Sequence, residues 1–324
     1  MTSPRITIIV PLYNKVNEVE RAIDSIFAQT IQDFELIIVD GGSTDGSLDV
    51  IKRYEADPRY HLIHQISKGL PAGRNEGIAA AGTDIIAFLD ADDEWLPIFL
   101  ETVLSLREKF PEAGIYATAY IPVFGSRIQK LRLAEIPEAP WSGLLTSYFR
   151  STALAKTPPF APCCVAIPKT TFQKIGYFNP SSRIGEDTEM WAKIALKLPV
   201  AYTSKTCAKY NWISDNKMTD TFTPINHHPF FTYVEKLEKN ELYDCNKPED
   251  IRLYLEYEEL NMAYINLMAG KKDYFKENLG YVQSETFQNQ KKLLINLSHL
   301  PYKIIKNIPK IKRLTLDNIR CFVS

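Results

Sequence analysis

Four short strand-like runs, each separated from the next by a helical pattern, occupy the first ninety residues and constrain the fold more than any other feature of the chain. Residues 6–10 (ITIIV) are a continuous apolar run rich in β-branched side chains, and 34–39 (FELIIV) and 84–89 (DIIAFL) are further strand-like runs. Runs of this kind form strands buried on both faces. Residues 60–64 supply another strand, the third in chain order, which makes 84–89 the fourth. Between them, residues 18–28 carry Val19, Ile23, Ile26 and Phe27 at helical spacing, and residues 47–54 read as a short helix. Residues 71–81 read as a helix of small side chains with Pro71 in its first turn, and another helix spans 96–110. The resulting βαβαβαβ series predicts an α/β fold with a mostly parallel central sheet and right-handed crossovers.

After Gly114 the pattern becomes irregular. Strands are expected over 115–123, 164–167 and 200–210, and helices over 170–175 and 188–198. Beyond about residue 225 the reading is helical. Leu253, Tyr257, Leu260, Tyr264 and Leu267 keep one apolar helix face, and Pro229, Pro248, Pro301 and Pro309 punctuate the region. The expected organisation is a nucleotide-binding α/β domain over residues 1–215 and a mainly helical C-terminal region with a basic tail over 216–324.

In parallel sheets of this kind, ligands bind beyond the carboxyl ends of the strands. The chemical residues of this chain stand there. The first strand runs into Pro11-Leu12-Tyr13-Asn14, the second into Asp40-Gly41-Gly42-Ser43-Thr44-Asp45-Gly46, and the fourth into Asp90-Ala91-Asp92-Asp93. Three carboxylates within four residues repel one another unless a cation sits among them. Asp90 and Asp92, two apart on an extended segment, can face one spot, where hard oxygen ligands suit Mg²⁺ or Mn²⁺. The plainer alternative is a set of helix-capping acids before the helix at 96–110. The glycines after Asp40 let the backbone approach a bound group, or simply form a tight turn. They do not make a GxGxxG fingerprint, so dinucleotide binding is disfavoured. Arg74 could pair with a phosphate, shape the nucleotide pocket, or lie exposed on its helix.

Gly185-Glu186-Asp187-Thr188-Glu189-Met190-Trp191 opens another helix. Acids there favour the helix dipole. They can also serve as chemistry: a fixed carboxylate takes the proton from an attacking hydroxyl, with Asp187 the candidate base and Glu186 orienting an acceptor or a neighbouring loop. Residues 211–221 read as a surface loop or as a mobile acceptor-side loop. His227 and His228 read as a cap or loop pair before Pro229 rather than as metal ligands. Trp141 and Trp212 suit packing or stacking on a sugar ring.

Taken together, VPLYN (10–14), VDGGSTDGS (39–47), AGRNEGIAAAGTDIIAFLDADDEW (72–95) and GEDTEMW (185–191) resemble the inverting family 2 glycosyltransferases with the GT-A fold. The resemblance covers roughly residues 4–215. It implies that Pro11, Tyr13, Asn14 and Asp40 lie at the nucleotide, with Arg74 and Asp90 in the nucleotide-sugar site. It implies that Asp90 and Asp92 form the DxD motif, with Asp92 as the direct metal ligand and Mn²⁺ or Mg²⁺ as cofactor. It implies that Asp187 is the catalytic base, beside Glu186. Many relatives carry a second acid where this chain has Gly41, which leaves dTDP or GDP open beside UDP. The QxxRW motif of processive members is missing, so transfer of a single sugar is expected. The implied partners are a nucleotide-sugar donor and a glycan or lipid-linked acceptor in surface polysaccharide synthesis. A sugar nucleotidyltransferase would want a basic, glycine-rich loop after the first strand, where this chain has Pro11-Leu12-Tyr13-Asn14. A catalytically inactive nucleotide-sugar or glycan-binding relative is the other alternative, and the intact Asp90, Asp92 and Asp187 argue against it.

Composition narrows the setting. The 324 residues carry a net charge of −1, which gives no global argument for nucleic acid. Five scattered cysteines without a CxxC pair suggest reduced thiols in a cytoplasmic protein. No signal-peptide core and no apolar run of membrane-spanning length is evident. From Lys303 onward, Lys303, Lys306, Lys310, Lys312, Arg313 and Arg320 face a single acid, Asp317. That tail reads either as solvated or as loosely attached to the anionic inner face of a membrane.

Overall fold

The computed structural model describes residues 4–213, 223–240 and 247–305. The chain divides into two compact units: Met1–Tyr148 with Pro158–Met218, and Phe149–Thr157 with Thr219–Ser324.

The first unit is built on one sheet. Its strands are β1 (Ile6–Leu12), β2 (Phe34–Asp40), β3 (Tyr60–His64), β4 (Ile85–Phe88), β5 (Glu94–Trp95), β6 (Ile115–Phe124), β7 (Arg127–Ile128), β8 (Ser142–Leu144), β9 (Val165–Pro168) and β10 (Val200–Asn211). They run in the order β3-β2-β1-β4-β9-β6-β10-β5, with β7 added to β6 and β8 to β10. The β3-β2-β1-β4 half is parallel throughout. β9 runs antiparallel to both β4 and β6, and β6 and β10 are again parallel. The helices of this unit are α1 (Val19–Phe27), α2 (Ser47–Ile51), α3 (Leu70–Ala80) and α4 (Phe99–Lys109), with α6 (Lys169–Ile175) and α7 (Glu186–Lys197) after α5 (Tyr148–Ala155), which lies almost wholly in the second unit. This is the α/β arrangement with a mostly parallel central sheet that the strand-helix alternation predicts.

The apolar runs are buried as their composition requires. Ile6, Ile8, Ile9, Val10, Leu36, Ile38, Ile86, Ala87 and Phe88 are inaccessible to solvent. The small residues of α3 have a packing reason: a Cβ on Gly77 would stand 2.6 Å from Cγ2 of Ile9, so only glycine lets the helix lie this close to β1. Register brings Leu12, Asp40 and His64 abreast at the carboxyl rim of the parallel half.

Three sheet features escape the sequence reading. β5 and β7 have two residues each and β8 three, too few to show a period, and they form on stretches of β10 and β6 that the longer neighbouring strands leave unpaired. The helix expected from residue 96 starts at Phe99, because Trp95 pairs with Ala208 and the Leu96 N–H donates to the carbonyl of Cys207.

The second unit is helical among its described residues: most of α5, then α8 (Pro229–Lys239), α9 (Pro248–Met268), α10 (Lys272–Tyr281) and α11 (Gln288–Ser298). Its core joins Ala153, Tyr257, Leu260, Ala263, Leu267, Phe275, Leu279 and Phe287, with Leu253 and Tyr264 against them. These include all five residues of the apolar face read on the long helix. His228 caps α8, its Nδ1 accepting from the Phe230 N–H at 3.2 Å. Among the described residues no helix is long and apolar enough to cross a membrane. The basic residues from Lys306 onward, Cys245, Cys321 and residues 214–221 of the expected loop lie outside the described residues.

Candidate functional site

The loops that follow β1 and β2 are sewn to each other. The Gly41 N–H donates to the Leu12 carbonyl at 2.8 Å, Asn14 N–H to Ser43 Oγ at 3.1 Å, and Thr44 N–H to Asn14 Oδ1 at 2.8 Å. Lys15 N–H donates to Ser47 Oγ at 2.8 Å and Val16 N–H to Asp45 Oδ2 at 2.9 Å. Asn14 has φ of +50°, a left-handed conformation that asparagine tolerates better than most residues. Pro11 is half-buried and Tyr13 exposed on this rim. Asp40 is buried, and its two oxygens accept from the N–H groups of Gly42 (3.2 Å) and Ser43 (3.0 Å), so it holds the glycine turn in shape. His64 Nδ1 lies 3.6 Å from the same carboxylate.

Two residues in this rim carry no signal in the sequence. Gln65 fills the notch between Gly41 and Gly73, where an added Cβ would meet its Oε1 at 3.2 and 2.8 Å respectively. A side chain at position 41 would therefore crowd Gln65. Lys15 reaches across from the end of the first loop, its Nζ 2.9 Å from Asp92 Oδ2.

The three acids after β4 occupy three different environments. Asp90, half-buried, accepts from Arg74 Nη2 at 3.0 and 3.3 Å. Asp92, half-buried, is paired with Lys15, and its backbone carbonyl accepts from Arg21 (2.7 Å) and Asn211 Nδ2 (2.7 Å). Asp93 turns inward. Its Oδ1 accepts from the Asn211 N–H at 2.8 Å, and the Cys163 thiol is the group beside the rest of the carboxyl. Burial, then the charges of Asp92 and Asp90, push the Asp93 carboxyl well above the usual range, toward the neutral form. Asn211 thereby ties the end of β10 to the acidic turn.

Arg74 links this turn to the start of α7. Its guanidinium is buried, bonded on one side to Asp90 and on the other, through Nη1, to Glu186 Oε1 at 3.2 Å, and it lies over the Phe178 ring at 5.5 Å. Burial works against its charge, and the carboxylates of Asp90, Glu186 and Asp187 outweigh burial and raise its pKa. Arg74 is thus 1% exposed, with its guanidinium held between two carboxylates. Asn75, its neighbour, exchanges two hydrogen bonds with the backbone of Phe178 (2.8 and 3.0 Å) and so fixes α3 to the segment that leads into α7.

α7 opens at Gly185, whose φ of +75° is the left-handed region that glycine enters without strain. Glu186 and Asp187 follow in the first turn. Glu186 is buried, and burial, then the Asp187 charge, push its carboxyl up to about 7 against the pull of Arg74. Asp187 is half-buried and accepts from the Thr188 N–H at 2.7 Å. Tyr210, on β10, stands among the acids: burial and then Asp93, Asp90, Asp187 and Asp92 raise its phenol well above the usual value. Residues 90, 92, 93, 186 and 187, separated by nearly a hundred positions in sequence, thus share one rim of one sheet. Trp212 stacks on Phe124 at 5.2 Å and Trp141 closes over Gly143, which is packing for both.

Asp90 and Asp92 are hard oxygen donors and fit Mg²⁺ or Mn²⁺. Among the described residues no group of three or more His, Cys, Asp or Glu side chains is placed to hold an ion by itself.

The sequence profile described as Glycosyl transferase family 2 matches residues 7–176. An uncharacterized glycosyltransferase of Rickettsia felis is 30% identical over 225 residues, 69% of this chain and 35% of that protein. The chain spans less than half the length of the first curated relatives it matches. Among solved structures, S. aureus TarS residues 1–349 in complex with UDP-GlcNAc superposes with a TM-score of 0.66 at 15% identity, covering 93% of this chain and 88% of that one. The mannosyltransferase PcManGT of Pyrobaculum calidifontis, in complex with GDP-Man and Mn²⁺, gives 0.56 at 17% identity, covering 95% and 84%. These likenesses place the fold in the GT-A class.

Proposed function

The chain belongs to glycosyl transferase family 2, and from that premise we propose an inverting, metal-dependent transferase that moves one sugar from a nucleotide-sugar donor to a hydroxyl of a glycan or lipid-linked acceptor in surface polysaccharide synthesis. A UDP-sugar is the first choice of donor. The observation that carries this reading is the Arg74 bridge, which holds the acidic turn at Asp90 and the first turn of α7 at Glu186 on one rim.

In this reading Pro11, Tyr13, Asn14 and Asp40 form the nucleotide side, with Asp40 acting through the turn it holds. Arg74 sets the spacing between the donor and acceptor sides. Asp187 accepts the proton of the acceptor hydroxyl. The acceptor oxygen attacks the anomeric carbon from the face opposite the nucleotide, and the bond to the diphosphate breaks in the same displacement, so configuration inverts. Glu186, bonded to Arg74, orients the first turn of α7 beside Asp187. Asp92 would hold a divalent cation, with Asp90 behind it, supplying Lewis-acid stabilisation for charge on the departing diphosphate. The donor and metal named for TarS and PcManGT support the choice of ligands. The basic residues from Lys303 onward fit loose attachment at the cytoplasmic face of an anionic membrane.

The test is nucleotide release from UDP-sugars with and without Mn²⁺, for the parent and for Asp92→Ala. Release that needs Mn²⁺ and falls about 10²–10³-fold in the variant is expected; full activity in Asp92→Ala would contradict the metal assignment.

A further inference from the structure

The three acids after β4 relieve their mutual repulsion in three ways. Asp90 has the Arg74 guanidinium, Asp93 is driven toward its neutral form, and Asp92 has the Lys15 ammonium. Only the last arrangement can be undone cheaply. Arg74 is buried, bonded at both ends and packed on Phe178. Lysine carries a compact charge on four flexible methylenes and can swing without moving its backbone.

The backbones on both sides of the Lys15–Asp92 pair are held. The Lys15 N–H donates to Ser47 Oγ, and its carbonyl accepts from the N–H groups of Glu18 (3.0 Å) and Val19 (2.9 Å) as α1 begins. The Asp92 carbonyl accepts from Arg21 and Asn211. The side chains of the pair are 11% and 14% exposed, so neither charge would sit there without a partner of opposite sign. Held backbones and a flexible lysine side chain define a local competition for one carboxylate.

We propose that Lys15 is a stand-in cation for Asp92: it neutralises the carboxylate when the site holds no metal, and transfers its ammonium to the donor diphosphate when a divalent cation takes Asp92. The inference rests on the reading of Asp92 as the metal-binding acid. Its physical consequence is positive coupling. Metal binding releases Lys15 for the diphosphate, and a diphosphate that captures Lys15 frees Asp92 for the metal, so each ligand raises the affinity for the other by the same factor. Lys15 thus makes the site a poor binder of free metal and a good binder of metal with diphosphate.

Mn²⁺ binding is measured by electron paramagnetic resonance, with and without UDP, for the parent, Lys15→Met, Lys15→Gln, Lys15→Arg and Asp92→Asn, each checked for folding by circular dichroism. In Lys15→Met and Lys15→Gln, Mn²⁺ alone should bind several-fold tighter than in the parent. The factor by which UDP tightens Mn²⁺, expected to be about 5–150-fold in the parent, should shrink to the part that direct bonding of the metal by diphosphate oxygens supplies. Lys15→Arg, which keeps the charge, should retain coupling. Two results overturn the proposal in distinguishable ways. If Asp92→Asn binds Mn²⁺ as the parent does, the metal reading fails and the proposal with it. If Asp92→Asn loses Mn²⁺ binding while the neutral Lys15 variants keep the parent's affinity for Mn²⁺ alone and its coupling, the metal reading stands and the role of Lys15 is wrong.

Discussion

Both units of the molecule bury acids, and they treat them in opposite ways. In the helical unit, Glu256, Glu258 and Glu259 lie on α9 almost out of reach of solvent. Glu259 accepts from His227 Nδ1 (2.9 Å), the His228 N–H (3.1 Å) and Asn278 Nδ2 (2.7 Å), and Glu256 accepts from the N–H groups of Gln283 (2.9 Å) and Ser284 (2.6 Å). These acids act as fasteners for the segments that meet α9. In the sheet unit, Asp90, Asp92, Asp93, Glu186 and Asp187 crowd one another, and two of them are pushed up in pKa by burial and then by the charges of their neighbours. Carboxylates saturated by donors hold a structure together. Carboxylates set against each other store unfavourable electrostatics, which a cation and a reacting proton can relieve.

The contrast can be broken at its reactive end first. Asp187→Asn should lower kcat for sugar transfer by about 10²–10⁴-fold with little change in melting temperature, because it removes a base and no fastener. Steady-state kinetics with thermal denaturation checks this; an active Asp187→Asn would move the base elsewhere on the rim. At the structural end the effect should be reversed. Glu259→Ala strands the donors of His227, His228 and Asn278 and should destabilise the helical unit by about 1–3 kcal/mol for each donor left unpaired, while UDP binding per folded molecule is unchanged. Denaturant titration alongside calorimetric UDP binding separates the two readouts.

The smallest effect concerns pH. Glu186 has a carboxyl pushed up to about 7 in the fold from an ordinary 4.5. A raised acid binds its proton more tightly folded than unfolded, so its contribution to stability is present below about 4.5 and is lost as pH rises toward 7. Glu186→Gln should therefore lose less stability than the parent across that window. Equal slopes of unfolding free energy against pH in the two proteins would show that Glu186 is not under this strain.

The sequence was most informative where local pattern and burial coincide. Tyr60–His64 is the strand expected at residues 60–64, and the apolar runs at 6–10 and 34–39 became β1 and β2 with two residues and one residue added. The acidic turn was visible because three carboxylates in four positions are costly without a purpose. What remained hidden depends on distant partners. Arg74 is one basic residue on a helix of small ones until Asp90 and Glu186, 16 and 112 positions away, close on it. Lys15 reads as an ordinary surface lysine, since nothing local announces a pair 77 positions distant. Gln65 fills a notch made by two glycines, one in the turn after β2 and one in α3. Phe149–Thr157 joins the helical unit although the segments on either side belong to the sheet, an exchange that periodicity does not encode.

A crystal soaked with Mn²⁺ and UDP tests the central claim most directly, through the anomalous signal of the metal. The account predicts a single manganese peak bonded to Asp92 and to diphosphate oxygens, on the same rim as Asp187. A diphosphate bound with its metal on other side chains, or bound away from the Asp92 turn, would contradict it.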